Sequence, residues 1–344
     1  MFSFDFMTTQ IVFSDEFNKH DTADHPENAD RLYVMLDALE KAPFYNNLRF
    51  IKPQMVSERL LYEVHSAEMI ERIKEISKNG DSWIDLDTYV CKSDYETARL
   101  AAGGVVQVCK NVITGEAQNA YALVRPPGHH ASAERSMGFC LFNNAGMAAH
   151  ELSKRKKRIL IFDHDVHHGN GTQSIFYSRK DVMYQSFHLS PHYPGTGAAC
   201  EIGEGEGKGY TINAPLGFGH DDRAVSRLFD EIFLPVTKQY RPHLIIISAG
   251  YDSHHADPLG GLKLSANFFG EMIRRFQEIQ PRIVCTLEGG YNLQWLGKCF
   301  LSQLGQLVTH PLRFDDTIKG NDDATAVINS MKKELRDCWD LEEG

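Results

Sequence analysis

The chain has 344 residues, 42% of them hydrophobic and 24% charged, with a formal net charge of -10. That length and balance describe a folded protein with a large core and exclude a disordered chain. The negative charge argues against nonspecific nucleic-acid binding and mildly favours cationic partners, and no apolar run reaches the roughly 18–20 residues of a membrane span.

The opening Met1-Phe2-Ser3-Phe4-Asp5-Phe6 lacks a basic stretch followed by a long apolar one, so no signal peptide is expected. Seven cysteines, none spaced as CxxC and two of them (Cys140, Cys285) inside apolar segments, point to reduced thiols and a cytoplasmic setting.

Short β-rich runs alternate with amphipathic stretches, which predicts a mostly parallel sheet flanked by helices. In chain order the pattern gives a strand at 10–13, a helix near 27–39, a strand at 48–52 and helices at 67–77 and 94–113. A strand at 121–124, a helix at 145–153 and strands at 158–163 and 182–187 follow. A helix at 223–238, a strand at 244–248, a helix at 267–278, a strand at 282–287 and a helix at 292–308 complete the series. Residues 195–209 read as one long glycine-rich loop, and loops of that length in compact proteins are often functional. The basic run Lys154-Arg155-Lys156-Lys157-Arg158 reads as a solvated helix end rather than a nucleic-acid patch. One domain is expected over 1–344, with about 311–344 a peripheral extension carrying an amphipathic helix at 324–335.

Three of the strands end in polar, glycine-punctuated clusters: Phe162-Asp163-His164-Asp165-Val166-His167, Ser248-Ala249-Gly250-Tyr251-Asp252 and Leu287-Glu288-Gly289-Gly290-Tyr291. Ligands of open α/β sheets bind outside the carboxyl ends of strands, so these distant segments are expected to meet in one place. Asp165 and His167 leave the same side of an extended backbone, and a carboxylate with an imidazole suits a divalent transition metal. Asp252 as a third ligand leaves a coordination position open for water and substrate; the alternative is an ordinary turn residue. The oxygen-rich set keeps iron(II) open beside zinc.

Arg125-Pro126-Pro127-Gly128-His129-His130-Ala131 fixes a rigid turn that presents adjacent imidazoles, groups suited to moving protons near neutral pH. Glu288-Gly289-Gly290-Tyr291 places a phenol where it could stabilise a developing oxyanion. Gly138-Phe139-Cys140 and Tyr193-Pro194-Gly195 each offer a loop aromatic, and two such rings face to face would form a slot for a long aliphatic chain.

Together these segments resemble the zinc-dependent histone deacetylase superfamily, which includes acetylpolyamine amidohydrolases and acetoin-utilisation proteins. The resemblance runs from about Pro26 to Leu307 and rests on Arg125-Pro-Pro-Gly-His-His, Asp163-His-Asp-Val-His-His-Gly-Asn-Gly-Thr, Pro194-Gly-Thr-Gly, Ser248-Ala-Gly-Tyr-Asp and Leu287-Glu-Gly-Gly-Tyr-Asn-Leu. Asn170 and the Leu-Glu-Gly-Gly-Tyr form look more like the class II branch. The resemblance implies the arginase–deacetylase fold, a three-layer α/β/α sandwich. It implies one Zn²⁺ on Asp165, His167 and Asp252. It makes His130 the base that activates water and then the acid that protonates the leaving amine, with His129 paired to Asp163. Tyr291 would polarise the carbonyl; some class II members carry histidine there and are nearly inactive, so this chain is expected to turn over. Asn170 stands where class I members carry an aspartate, which should leave His130 less basic.

Structural K⁺ is implied at an inner site of Asp163, Asp165, His167, Ser186 and Phe187, and at an outer site near Phe176, Arg179, Val182 and Tyr210. Gly138, Phe139 and Tyr193 would line the substrate tunnel, Tyr193 adding a hydroxyl where phenylalanine is common. Arg31 matches an arginine that supports an interior channel. The class I rim aspartate has no match near Val90-Cys91. Leu259 stands where the polyamine-preferring branch has glutamate, which favours acetyl-lysine of proteins or peptides over small acetylated amines such as acetylpolyamines. An arginase-like ureohydrolase or a noncatalytic acetyl-lysine reader are the distant alternatives. Oligomeric state is not implied.

Overall fold

The structure, a computed structural model, describes residues 8–22, 24–80 and 82–341; the Met1–Phe6 segment read for a signal peptide lies outside them. Its strands are β1 (Thr9–Val12), β2 (Leu48–Ile51), β3 (Ser82–Trp83), β4 (Tyr89–Val90), β5 (Asn119–Ala122), β6 (Ile159–Asp163), β7 (Val182–Leu189), β8 (Thr211–Leu216), β9 (Leu244–Ala249) and β10 (Ile283–Leu287). Eight form one sheet in the order β2-β1-β5-β10-β9-β6-β7-β8, every pair parallel, while β3 and β4 make a separate antiparallel hairpin. The inner strands β6, β9 and β10 are buried at every position. Runs such as Leu244-Ile245-Ile246-Ile247 therefore carry no polar alternation, because helices cover both faces.

The flanking helices are α1 (Asp30–Glu40), α2 (Glu58–Val64), α3 (Ala67–Asn79), α4 (Asp94–Thr114), α5 (Asn144–Ser153), α6 (Asn170–Phe176), α7 (Asp222–Leu228), α8 (Leu234–Tyr240), α9 (Ala266–Gln277), α10 (Leu293–Leu307) and α11 (Thr325–Leu335). Helix α10 packs between α9 and α1, and α4 packs against α5. Among the described residues, no helix is long and apolar enough to cross a membrane.

The expected elements are present with ends moved by a few residues, except the single helix over 223–238. Five elements were not anticipated: β3 and β4 of the hairpin, α2, α6 and β8. Strand β8 reads Thr-Ile-Asn-Ala-Pro-Leu, with Pro215 inside it. The proline is tolerated because β8 is an edge, paired only with β7. The single helix expected over 223–238 is instead α7 and α8 joined by a π turn at Phe229–Phe233. There the Leu234 N–H reaches back to the Phe229 carbonyl, and Pro235, which has no N–H, follows immediately. Residues 195–209 are a loop as expected, broken only by a short 3-10 turn at Gly205–Gly207.

Strand order decides where the site lies. Asp163 pairs with Ser248 and Ala249 with Leu287, so the three polar clusters leave the same edge of three neighbouring strands.

Candidate active site

Asp165, His167 and Asp252 converge: one ligand atom of each lies within 4.8 Å of the others. His167 Nδ1 is 3.0 Å from Asp165 Oδ1 and 3.2 Å from Asp252 Oδ2. Backbone amides hold the carboxylates in place, Val166 N–H donating to Asp252 Oδ1 (2.8 Å) and Gly289 N–H to Asp165 Oδ2 (2.8 Å). A Cβ at Gly250 would collide with the Asp165 carboxylate, and one at Gly289 with both carboxylates, so only glycine lets the strand ends close so tightly.

The electrostatics fit a cation. Asp163, Asp165 and Asp252 are fully buried, and burying like charges together is costly unless something positive compensates. Burial, then the neighbouring charge of Asp165, lifts the Asp252 carboxyl to about 7. Burial alone would depress His167, yet its bonds to Asp165 and Asp252 raise it to about 10. The cluster thus attracts positive charge, and its donors, two carboxylates and one imidazole, are the set a divalent transition ion takes with a corner left open.

The adjacent histidines take different environments. His129 Nδ1 meets Asp163 Oδ2 at 3.1 Å, and although burial opposes its charge, Asp165 and Asp163 raise it to about 10. His130 Nδ1 lies 2.8 Å from Asn170 Oδ1. An amide oxygen only accepts, so Nδ1 carries the proton and Nε2 keeps its lone pair. Burial, then the nearby His129 and His167, hold His130 well below the ordinary histidine value. Glu288 anchors this turn from below, accepting from Gly128 N–H (2.7 Å) and His129 N–H (3.1 Å).

These groups open into a cleft of about 360 Å³ lined by His129, His130, His167, Gly138, Phe139, Tyr193, Leu259 and Tyr291. Phe139 and Tyr291 meet edge to face at 6.1 Å, and Tyr193 stands edge-on to His130 at 5.2 Å. A Cβ at Gly138 would strike the His130 ring, so glycine is needed where the wall passes the imidazole. Arg31 lies buried behind the Tyr291 turn. It donates from Nε to the Gly290 carbonyl (2.7 Å) and from Nη1 to Glu27 Oε1 (2.9 Å), with its guanidinium 5.1 Å from the phenol ring.

Ser186 stands opposite Asp163 in the β6–β7 register with Phe187 next to it, so three of the five residues expected at the inner K⁺ site are neighbours. Phe176 closes α6, Arg179 lies on the connection from α6 to β7, Val182 opens β7, and the Tyr210 carbonyl accepts the Tyr184 N–H at 2.9 Å just before β8. Two cleft residues escaped the sequence reading, Asp87 from the β3–β4 hairpin and His192 from the loop after β7. Asp87 in the Leu-Asp-Thr turn had no motif to mark it, although an acidic residue just before Tyr89-Val90 was the available signal.

Comparison with known proteins agrees with this geometry. Residues 25–307 match the family model described as the histone deacetylase domain. A protein named probable deacetylase from Archaeoglobus fulgidus is 40% identical over 297 residues, covering 84% of this chain and 82% of that one. The histone deacetylase-like amidohydrolase of Pseudomonas aeruginosa is 36% identical over 307 residues, 85% of this chain and 80% of its own. Among solved structures, the HDA15 HD domain superposes with a TM-score of 0.90 at 31% identity, covering 97% of this chain and 96% of that chain. The chain belongs to the histone deacetylase family, and its fold is that family's α/β sandwich around a parallel sheet.

Proposed function

We propose that the chain is a zinc-dependent hydrolase that removes acetyl groups from the side-chain amine of acetyl-lysine in proteins or peptides, releasing acetate. The observation that carries this reading is that the cluster of Asp165, His167 and Asp252 reaches, through His167, the same cleft that His130 and Tyr291 line, with His130 Nε2 free. Asp165, His167 and Asp252 would hold the ion, zinc or iron(II), which when bound polarises the acyl carbonyl and acidifies water.

The protein's own groups supply the rest. The apolar walls of Phe139 and Tyr193 take the aliphatic stem and bring the amide to the floor of the cleft. His130 Nε2 accepts a proton as water adds to the acyl carbon. The Tyr291 hydroxyl donates to the oxygen that gains charge. His130 then returns the proton to nitrogen as the C–N bond breaks, because an amide anion is too poor a leaving group. His129, paired with Asp163, keeps charge and position on the opposite side of the cluster. K⁺ bound at Asp163, Asp165, His167, Ser186 and Phe187, with a second ion near Phe176, Arg179, Val182 and Tyr210, would brace the loop that carries two of the ligands.

Leu259 on the cleft wall favours an apolar neighbour over a polyamine's second ammonium. Asp87 on the same cleft favours the rival reading, a small acetylated amine with a distal cation. Turnover on an acetyl-lysine peptide against N-acetylated polyamines, each with and without chelator, separates them. Hydrolysis of the peptide, abolished by chelator, is expected; hydrolysis of the polyamine alone would transfer the assignment to the rival.

A further inference from the structure

His192 lines the cleft in the loop after β7 and has no part in the reaction proposed above. Its ring lies nearly parallel to that of His167, with centroids 4.9 Å apart and planes at 21°. Its Nε2 is 3.3 Å from the Leu259 carbonyl oxygen, an atom that can only accept, so Nε2–H donates. Leu259 is held from its other side as well, its N–H donating to Asp257 Oδ1 at 3.0 Å. The second oxygen of Asp257 accepts the N–H of Tyr291 at 2.6 Å and that of Asn292 at 3.0 Å. Phe218 packs edge-on against the His192 ring at 6.4 Å. An unbroken set of contacts therefore runs from the imidazole in the metal cluster, through His192, Leu259 and Asp257, to the backbone that carries the phenol.

We infer that His192 is a positioning residue, a brace between the His167 ring and the 257–259 turn that sets the distance from the metal cluster to the Tyr291 hydroxyl. The inference rests on the reaction proposed above, in which both ends of the brace must reach one carbonyl. A displacement of about 1 Å between reacting groups costs on the order of a hundredfold in rate, so a device fixing that span has catalytic consequences without touching substrate. The two contacts are chemically separable. Stacking needs an aromatic ring, which phenylalanine supplies. The latch to Leu259 needs a donor at the Nε2 position, which glutamine supplies without the ring.

The test uses the full chain as wild type, His192→Phe, His192→Gln and His192→Ala. Each is loaded with cobalt(II) for visible spectra and with zinc for kinetics on whichever acetylated amine the wild type hydrolyses. His192→Ala should lose about tenfold in kcat, with KM held within about twofold and an unchanged denaturation midpoint. His192→Gln and His192→Phe each keep only one end of the brace, so neither should restore the wild-type kcat. The cobalt spectrum should stay at wild type in His192→Phe and shift in His192→Gln and His192→Ala. Full turnover by His192→Phe or by His192→Gln, a KM effect alone, an unshifted spectrum in His192→Ala, or losses that merely track melting temperature would each overturn the brace. A wild type that binds cobalt yet hydrolyses no acetylated amine would sink the functional reading instead, while the spectral comparison would still judge the stacking.

Discussion

His130 donates from Nδ1 to an amide oxygen, and that choice of partner limits how basic its Nε2 can be. A carboxylate in place of Asn170 would stabilise the imidazolium and raise its pKa. In the proposed reaction the base must start deprotonated, so Asn170→Asp should move the acid limb of the kcat/KM profile to higher pH. An unmoved limb would take His130 out of the base role. Tyr291→Phe deletes only a hydroxyl that the reaction uses at its charged stage. It should lower turnover by more than about tenfold, a transition-state hydrogen bond being worth a few kcal/mol, and leave metal content unchanged. Most of these residues were legible because strand ends follow from apolar runs, and polar residues just beyond them have one place to go. Asp87 and His192 were not. Each sits in a loop whose approach to the cleft is set by tertiary packing, the hairpin bringing one and the turn after β7 the other.

Among the secondary elements, the loop that carries the histidine pair is tied to α2 by a histidine in a fixed tautomer. His65, at the end of α2, lies 2.8 Å from the Ser132 carbonyl through Nδ1 and accepts the Asn143 N–H at Nε2, 3.0 Å away. Protonation would destroy the second bond, and burial accordingly lowers His65 from 6.5 to about 4. The folded state therefore binds this proton later than the unfolded chain does. His65's contribution is complete above about pH 6.5 and is lost as pH falls to about 4, up to about 3 kcal/mol in all. Chemical denaturation across that range should show the loss, and His65→Gln should flatten it; an equal slope in the variant would deny His65 the role.

A second tie joins the segment after α10 to the turn behind Asp252. Asp316 accepts from His254 (3.0 Å), His255 (2.8 Å) and the Ala266 N–H that opens α9 (2.6 Å). His254 Nδ1 faces the Ala256 N–H, so its Nε2 carries the proton toward Asp316. These groups form a hydrogen-bonded clamp. Asp316→Ala should cost about 2–4 kcal/mol in urea denaturation, since it strands several buried donors; a change under about 0.5 kcal/mol would make the clamp decorative. Neither tie was legible, because each joins segments far apart along the chain through hydrogen bonds that leave no periodic trace.

For the molecule as a whole, the sheet explains both where the site lies and what helix α11 packs against. Parallel order β10-β9-β6 gathers the polar strand ends, and this much follows from alternating apolar runs and amphipathic stretches. The tail, expected as a peripheral extension, packs beside β8, the last strand of the sheet. Helix α11 packs there through buried Ile328, Met331 and Leu335, and Trp339 Nε1 donates to the Gly209 carbonyl at 2.6 Å. Edge strands left bare pair with other chains. Ending the chain before Thr325 should therefore yield concentration-dependent oligomers by light scattering, and a monodisperse product the size of the parent's would argue against the edge's need for cover.

The proposed hydrolysis requires a single ion at the carboxyl ends of β6 and β9. Anomalous diffraction from crystals of the purified protein, collected on both sides of the zinc absorption edge, locates it. The expected result is one strong peak at about 2.0–2.2 Å from the carboxylate oxygens of Asp165 and Asp252 and from a ring nitrogen of His167. A peak bound elsewhere, or none at these three side chains in protein that still hydrolyses an acetylated amine, would contradict it.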